Sequence, residues 1–182
     1  MSDRLISVVL PAYNAGPYID AAIGSILSQT YPHFELIVID DGSTDDTLAR
    51  IEAFAARDSR IRVVSRENRG LIATLNEGIG LAKGDLIARM DADDIAYPER
   101  FRRQVAAFEA DPGLCLCGTA VDILYKERIY AGDVPSALIS RSAQVMSLFY
   151  TILLHPTLMI DRRLAGDDLF YDPSYPHAED FD

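Results

Sequence analysis

Residues 85–94 of this chain read Asp-Leu-Ile-Ala-Arg-Met-Asp-Ala-Asp-Asp, and they indicate more about its fold than any other stretch. The apolar run 86–88 predicts a strand that delivers Asp91, Asp93 and Asp94 to the edge of a sheet. Clustered carboxylates repel one another, so they need a counter-charge. Mg²⁺ typically takes one or two carboxylates together with substrate phosphates. The stretch therefore favours a metal site for a nucleotide diphosphate, although a solvated acidic turn before the next helix is the alternative.

Strand and helix patterns alternate through the first half of the chain. Continuous apolar runs predict strands that are buried on both faces, and apolar residues at helical spacing predict helices between them. The predicted strands cover 5–10, 34–39, 61–64 and 85–90, and the predicted helices cover 19–27, 48–55 and 71–82. Ser43 or Thr44 is expected to cap the second helix, and Gly84 to close the third. Strands joined by helices of this length imply right-handed crossovers and a parallel sheet.

The second half has a different rhythm. Pro98 suits the first turn of a helix that runs to about Ala110. Strands are predicted at 114–121 and 155–160, a hairpin or loop at 122–134, and a helix at 140–149. No internal repeat or linker interrupts the chain. The predicted fold class is therefore α/β: one domain with a Rossmann-like, mostly parallel central sheet flanked by helices, and a small antiparallel element in the second half.

Composition restricts the partners and the compartment. The formal net charge of -11 argues against a nucleic-acid partner and against a simple electrostatic hold on anionic lipid. Cys115 and Cys117 would face the same side of a strand, so burial as small hydrophobic side chains is expected. The chain opens without a secretory pattern, and its longest apolar stretch, 148–154, is too short to span a bilayer. A cytoplasmic protein is the expectation.

Polar groups follow several of the predicted strands. Ligands of open α/β sheets bind outside the carboxyl ends of the strands. The groups that fall there are residues 11–14, 40–41, 66–68 and 91–94. Their convergence on one edge favours the functional interpretation of the acidic cluster over a solvated turn.

Motifs along the chain resemble those of glycosyltransferase family 2, in family order and spacing from about residue 5 to residue 182. They are Val9-Leu-Pro-Ala-Tyr-Asn14, Ser25-Ile-Leu-Ser-Gln-Thr-Tyr31, Ile39-Asp-Asp-Gly-Ser-Thr-Asp45, Asn68-Arg-Gly70 with Leu75-Asn-Glu-Gly78, Asp91-Ala-Asp-Asp94 and Ala178-Glu-Asp180. The resemblance implies a GT-A fold, with residues 1–94 as the half that binds a nucleotide-sugar donor. Residues 95–182 would form the acceptor-side half, expected to be truncated at its C-terminus.

The resemblance also implies roles at the donor site. Asp41 would bind the nucleobase, most often uracil, and Pro11 and Tyr13 would surround the base and ribose. Asn68 would line the pocket, with a solvated loop position as the alternative, and Asp91 would contact the ribose or sugar. Asp40 lies in the motif that resembles the nucleotide-contacting turn, and a structural capping role is its alternative. The metal ligands would be Asp93 and Asp94, which would hold Mn²⁺ or Mg²⁺.

The implied reaction is inverting transfer of a sugar from a nucleoside-diphosphate sugar to an acceptor hydroxyl. Asp180 would be the catalytic base, with Glu179 in an orienting or acceptor-binding role; an exposed acidic tail is the alternative for both. His155 has a family counterpart near the acceptor side, and otherwise would satisfy backbone groups. The acceptor would be a saccharide, lipid-linked or other hydroxyl compound in cell-surface polysaccharide or glycoconjugate synthesis. The resemblance also leaves room for a homodimer and for peripheral association with the inner face of the membrane.

Other classes fit the sequence less well. A nicotinamide-dependent dehydrogenase needs Gly-x-Gly-x-x-Gly after the first strand, where this chain has Pro11-Ala-Tyr-Asn14. A sugar-phosphate nucleotidyltransferase would carry a glycine-rich basic loop there. A phosphohydrolase could use Asp91 as nucleophile, but the residues after Asp94 do not match that class. A non-catalytic nucleotide-sugar-binding module, or an inactive fragment, remains open beside the transferase.

Overall fold

The computed structural model describes residues 3–126, 128–131 and 154–174. In chain order the elements are β1 (Ile6–Ala12), α1 (Ile19–Leu27), β2 (Phe34–Asp40), α2 (Thr47–Ala55), β3 (Ile61–Ser65), α3 (Leu71–Leu81), β4 (Leu86–Arg89), α4 (Arg100–Ala110), β5 (Leu116–Cys117), β6 (Asp122–Tyr125), β7 (Arg128–Ala131), β8 (Met159–Asp161) and α5 (Arg162–Ala165). Short 3-10 helices cover His155–Thr157 and Gly166–Leu169. The predicted helix at 140–149 lies outside the described residues.

The main sheet confirms the predicted α/β class. Its strand order is β3-β2-β1-β4-β8-β5, in which the first four strands are parallel and β8 is antiparallel to both of its neighbours. The chain leaves β1 toward β2 and β3 and then returns to place β4 on the other side of β1. This reversal is a topological switch point, where open α/β sheets bind ligands. β6 and β7 form a separate antiparallel hairpin, the predicted small antiparallel element.

β1, β2 and β4 are buried on both faces, which explains their nearly continuous apolar sequence, whereas β3 at the edge of the sheet is only partly buried. One cluster packs side chains of β1 and β2 against α1 and α4, with Val8, Leu10, Leu36, Val38, Ile23, Ile26, Phe101 and Val105 among its members. The opposite cluster packs the alternate strand residues against α3, with Val9, Ile37, Ile39, Leu75 and Ile79. Fully burying one such aliphatic side chain is worth about 1.5–3 kcal/mol.

Two predicted strands of the second half were wrong in extent. The strand predicted at 114–121 is reduced to Leu116–Cys117. The strand predicted at 155–160 begins instead as a 3-10 turn, in which the Thr157 amide and hydroxyl both donate to Leu154 O, at 2.9 and 2.7 Å. Pro156 suits such a first turn because it has no N–H to contribute to a ladder.

The predicted ends of α3 and α4 also need correction. Gly84 does not cap α3, which ends at Leu81. A Cβ at residue 84 would lie 2.5 Å from Leu5 O and 2.7 Å from Ser7 N, so glycine is required there for close backbone approach. Pro98 lies in the turn before α4 rather than within its first turn.

The cysteines are free and half-buried, in line with a packing role. Burial raises the pKa of the Cys117 thiol to about 11, which keeps this thiol protonated at neutral pH. In the part of the chain that the structure describes, no helix has both the length and the apolar character needed to cross a bilayer.

Candidate functional site

A cleft of about 390 Å³ opens at the carboxyl ends of β1, β2 and β4. This volume lies within the usual range of small-molecule sites. Six residues predicted from the sequence line it together: Pro11, Tyr13, Asp41, Asn68, Asp91 and Asp93. The other lining residues are Ala12, Asn14, Ala15, Tyr18, Gly70, Leu71, Thr74 and Ala92. Asp94 adjoins the lining, while Glu179 and Asp180 lie outside the described residues.

One end of the cleft is built around the buried carboxylate of Asp41, directly after β2. Asp41 Oδ1 accepts from Arg69 N at 2.8 Å, and Oδ2 accepts from Gly70 N at 2.9 Å. The Arg66 guanidinium also donates to Oδ1. Backbone amides and a guanidinium thus hold the carboxylate in one orientation.

Arg66 belongs to the polar group 66–68 that the sequence predicts at this edge, but the sequence analysis gave it no specific role. Its Nε donates to Glu77 Oε2 at 2.6 Å, and its Nη2 donates to Thr74 Oγ1 at 2.9 Å. It therefore joins Asp41 at the end of β2 to the first turns of α3. The sequence signal for its bridging role is an arginine directly after β3, followed by an acidic residue on the next helix.

The neighbouring Asp40 is structural. Its carboxylate is buried and accepts from Ser43 N at 3.3 Å and from Ser65 Oγ at 3.1 Å, so it closes the turn after β2. Gly42 makes that turn possible, because its φ is +76° and a Cβ there would lie 2.7 Å from Asn68 N. The turn is thereby held against the loop that carries Asn68.

The loop after β1 is hydrogen-bonded to the loop after β2. Asn14 N donates to Ser43 Oγ at 3.0 Å, and Thr44 N donates to Asn14 Oδ1 at 2.8 Å. Ser43 and Thr44 therefore do not cap α2 as predicted; α2 begins at Thr47, with Asp46 as its N-cap residue. These bonds fix the cleft wall that carries Tyr13, whose side chain is 54% exposed and available to a ligand.

The acidic cluster forms the other side of the cleft, after β4. Arg89 is buried and contacts the Asp91 carboxylate, while Asp93 and Asp94 are exposed. Within the described ranges no acceptor reaches Arg89 Nε. Asp94 is only partly exposed, and partial desolvation together with the charges of Asp91 and Asp93 raises its pKa, so a cation here would relieve repulsion. With Asp91 paired to Arg89, Asp93 and Asp94 are the carboxylates of this cluster that could hold a divalent cation.

His155 does not line the cleft. Its Nε2 lies 2.5 Å from Tyr171 Oη, and burial together with the nearby Arg89 charge lowers the His155 pKa to about 4. The imidazole is therefore neutral at physiological pH. The predicted alternative was a histidine that satisfies backbone groups, and the contact found here is with a tyrosine hydroxyl.

Comparison with known proteins identifies relatives over nearly the whole chain. The family model "Glycosyl transferase family 2" matches residues 7–165. An uncharacterized glycosyltransferase of Haemophilus influenzae is 36% identical over 187 aligned positions, which cover 97% of this chain and 58% of that protein.

Solved structures share the architecture. One is the mannosyltransferase PcManGT of Pyrobaculum calidifontis, in complex with GDP-Man and Mn²⁺. It superposes with a TM-score of 0.72 at 22% sequence identity, and the alignment covers 93% of this chain and 47% of the PcManGT chain. Another is S. aureus TarS 1-349 in complex with UDP-GlcNAc, which superposes with a TM-score of 0.73 at 23% sequence identity. That alignment covers 97% of this chain and 51% of the TarS chain. The chain thus spans about half the length of these proteins, and the likeness shows that it has the predicted GT-A fold.

Proposed function

Because the chain belongs to glycosyl transferase family 2, we propose that it binds a nucleoside-diphosphate sugar in the cleft and transfers the sugar to an acceptor hydroxyl with inversion. One observation carries the proposal: Asp41 and the acidic cluster line the same cleft from opposite sides of β1. β2 and β4 are two strand spacings apart, roughly 10 Å. That separation suits a ligand with a nucleobase at one end and a diphosphate at the other.

At the base end, Asp41 accepts an N–H of the nucleobase, which we propose to be uracil. Pro11, Tyr13 and Asn68 form the walls around the base and ribose. The exposed Tyr13 ring offers a stacking surface, and stacking on an aromatic ring is worth about 1–3 kcal/mol per base. Asp91, oriented by Arg89, contacts the ribose or the sugar.

At the diphosphate end, Asp93 and Asp94 would hold Mn²⁺ or Mg²⁺. When bound, such a metal neutralises the charge that grows on the leaving diphosphate. The Mn²⁺ and GDP-Man bound to PcManGT support a divalent metal beside a nucleotide sugar in this fold.

The acceptor side belongs to residues 95–182. We propose Asp180 as the general base that takes the proton of the attacking hydroxyl, a role worth about 10²–10⁴-fold in rate. Glu179 would orient the acceptor. The acceptor as a saccharide or lipid-linked hydroxyl, a homodimer, and a place at the inner membrane face stay predictions.

Calorimetric titration of UDP, GDP and dTDP in the presence of Mn²⁺ tests the donor site. We expect UDP to bind most tightly, and Tyr13→Ala to weaken it about tenfold because a stacking contact is lost. Tyr130→Ala is the matched control, because Tyr130 is similarly exposed (49%) but lies on the β6–β7 hairpin, outside the cleft lining. Absence of binding for all three nucleotides would contradict the proposal.

A further inference from the structure

Asp41, Arg66 and Glu77 form a chain of alternating charges beside the cleft. The side chain of Asp41 is 6% exposed, that of Arg66 is 11% exposed, and that of Glu77 is 33% exposed. A carboxylate buried to this degree is costly unless it is paired and hydrogen-bonded. Arg66 supplies the opposite charge that pairs with Asp41. Glu77, the most exposed of the three side chains, in turn forms an ion pair with Arg66.

Within the described residues, the hydrogen bonds of Asp41 leave an acceptor position on one of its two carboxylate oxygens. Oδ1 already accepts from Arg69 N and from the Arg66 guanidinium. In the described part of the chain, Oδ2 accepts from Gly70 N alone. A carboxylate oxygen has about two acceptor positions, so Oδ2 retains one for a ligand N–H.

Arg66 uses separate nitrogens for separate elements. One Nη contacts Asp41 after β2, the other contacts Thr74 on α3, and Nε contacts Glu77 one helical turn further on. The guanidinium fork is planar and rigid, so holding Nη2 and Nε on α3 determines where the remaining nitrogen meets Asp41. Thr74 itself lines the cleft, so the fork lies at the wall of the proposed base pocket.

We propose that Arg66, held by Glu77, is a positioning residue for nucleobase recognition: it keeps Asp41 Oδ2 directed at the imide N–H of uracil. The inference rests on the proposed donor site and adds to it the residues that determine base selectivity. Without the guanidinium, the Asp41 carboxylate loses its charged partner and its fixed orientation. Selectivity for a base that carries this N–H is then lost along with affinity.

The test compares UDP with N3-methyl-UDP, which lacks the imide N–H, in the presence of Mn²⁺. We expect the wild-type protein to prefer UDP by about tenfold or more, the worth of a hydrogen bond to a charged group. In Arg66→Gln and in Glu77→Ala, UDP affinity should fall while affinity for the methylated analogue changes little, so that the ratio approaches one. Glu77→Ala alters a partly exposed side chain, so it keeps the test valid if Arg66→Gln does not fold.

Arg60→Gln is the control, because it removes an arginine from a partly buried ion pair, with Asp58, remote from the cleft lining. It should retain the wild-type ratio. A ratio unchanged in both test variants, or equal weakening of both ligands, would overturn the positioning role. If the wild-type protein binds UDP and its analogue equally, the inference fails while the donor site stands. If it binds neither, the proposed function fails as well.

Discussion

Asn76 pairs with both backbone polar groups of Tyr171, across 95 residues of sequence. Its Nδ2 donates to Tyr171 O at 2.8 Å, and Tyr171 N donates to its Oδ1 at 2.8 Å. The Asn76 amide on α3 therefore satisfies the backbone N–H and C=O of Tyr171, as the backbone of a neighbouring strand would. The pairing joins the half of the chain that carries Asp41 to the segment that leads toward Glu179 and Asp180.

Asn76→Ala should destabilise the protein by about 1–3 kcal/mol, because it removes two hydrogen bonds to the backbone of Tyr171. Urea unfolding measures the loss of stability, and hydrogen exchange should show the amide of Tyr171 opening first. Asn68→Ala deletes the same side chain at an exposed position and should change stability by less than about 0.5 kcal/mol. Equal stability of the two variants would contradict the role given to Asn76.

Gly78 and Gly80 lie on the same helix in different surroundings. A Cβ at residue 78 would come within 2.4 Å of Val9 Cγ1, whereas a Cβ at residue 80 meets nothing within 4 Å. Gly78→Ala should therefore cost about 1–3 kcal/mol through overpacking against β1. Gly80→Ala should stabilise the protein by about 0.5–1 kcal/mol, since alanine is the better helix former. Thermal unfolding that ranks the two variants in the opposite order would refute the close contact of α3 with β1.

His155 should make stability depend on pH in mildly acidic solution. The unfolded histidine titrates near pH 6.5, and the folded one has its pKa lowered to about 4. Between these values the unfolded state binds more protons, so stability falls as pH falls through this window, by at most about 3 kcal/mol.

Unfolding free energies at pH 7 and pH 4.5 would measure this dependence. His155→Gln should reduce it, while His33→Gln, at an exposed histidine, should keep it. A decline of the same size in the His155→Gln variant would assign the acid sensitivity to other groups.

β1, β2 and β4 could be predicted because strands that are buried on both faces require a nearly continuous run of apolar residues. The gathering of Asp41 and Asp93 at one edge follows from parallel strand direction alone. β5 and β8 are two and three residues long, too short for periodicity to distinguish from loop. β8 takes its place by pairing with β4, and β5 by pairing with β8, and both pairings are tertiary effects.

The side-chain network of the site could not be predicted from local patterns. Arg66, after β3, contacts both Asp41 after β2 and Glu77 on α3. Arg89, at the end of β4, contacts Asp91 two residues further along the chain. Such contacts depend on how the helices pack against the sheet. The capping role expected of Ser43 was wrong for the same reason, because its hydroxyl oxygen accepts a hydrogen bond from Asn14 N of a different loop.

Metal binding should depend on the nucleotide. No group of three or more His, Cys, Asp or Glu side chains suited to a metal ion occurs among residues 3–126, 128–131 and 154–174. On the proposed assignment, Asp93 and Asp94 would by themselves form a weak site, and a diphosphate would supply the further oxygen ligands that Mg²⁺ or Mn²⁺ requires. Mn²⁺ affinity should therefore rise about tenfold or more when UDP is present.

Electron paramagnetic resonance of free Mn²⁺, titrated with the protein in the presence and absence of UDP, tests the donor site most directly. UDP should strengthen Mn²⁺ binding to the wild-type protein beyond what UDP does alone in buffer. Asp93→Asn should abolish that gain, whereas Asp20→Asn, at an exposed carboxylate outside the cleft lining, should retain it. Mn²⁺ binding that is indifferent to UDP, or a gain that survives Asp93→Asn, would contradict the assignment of this cleft as a metal-assisted nucleotide-sugar site.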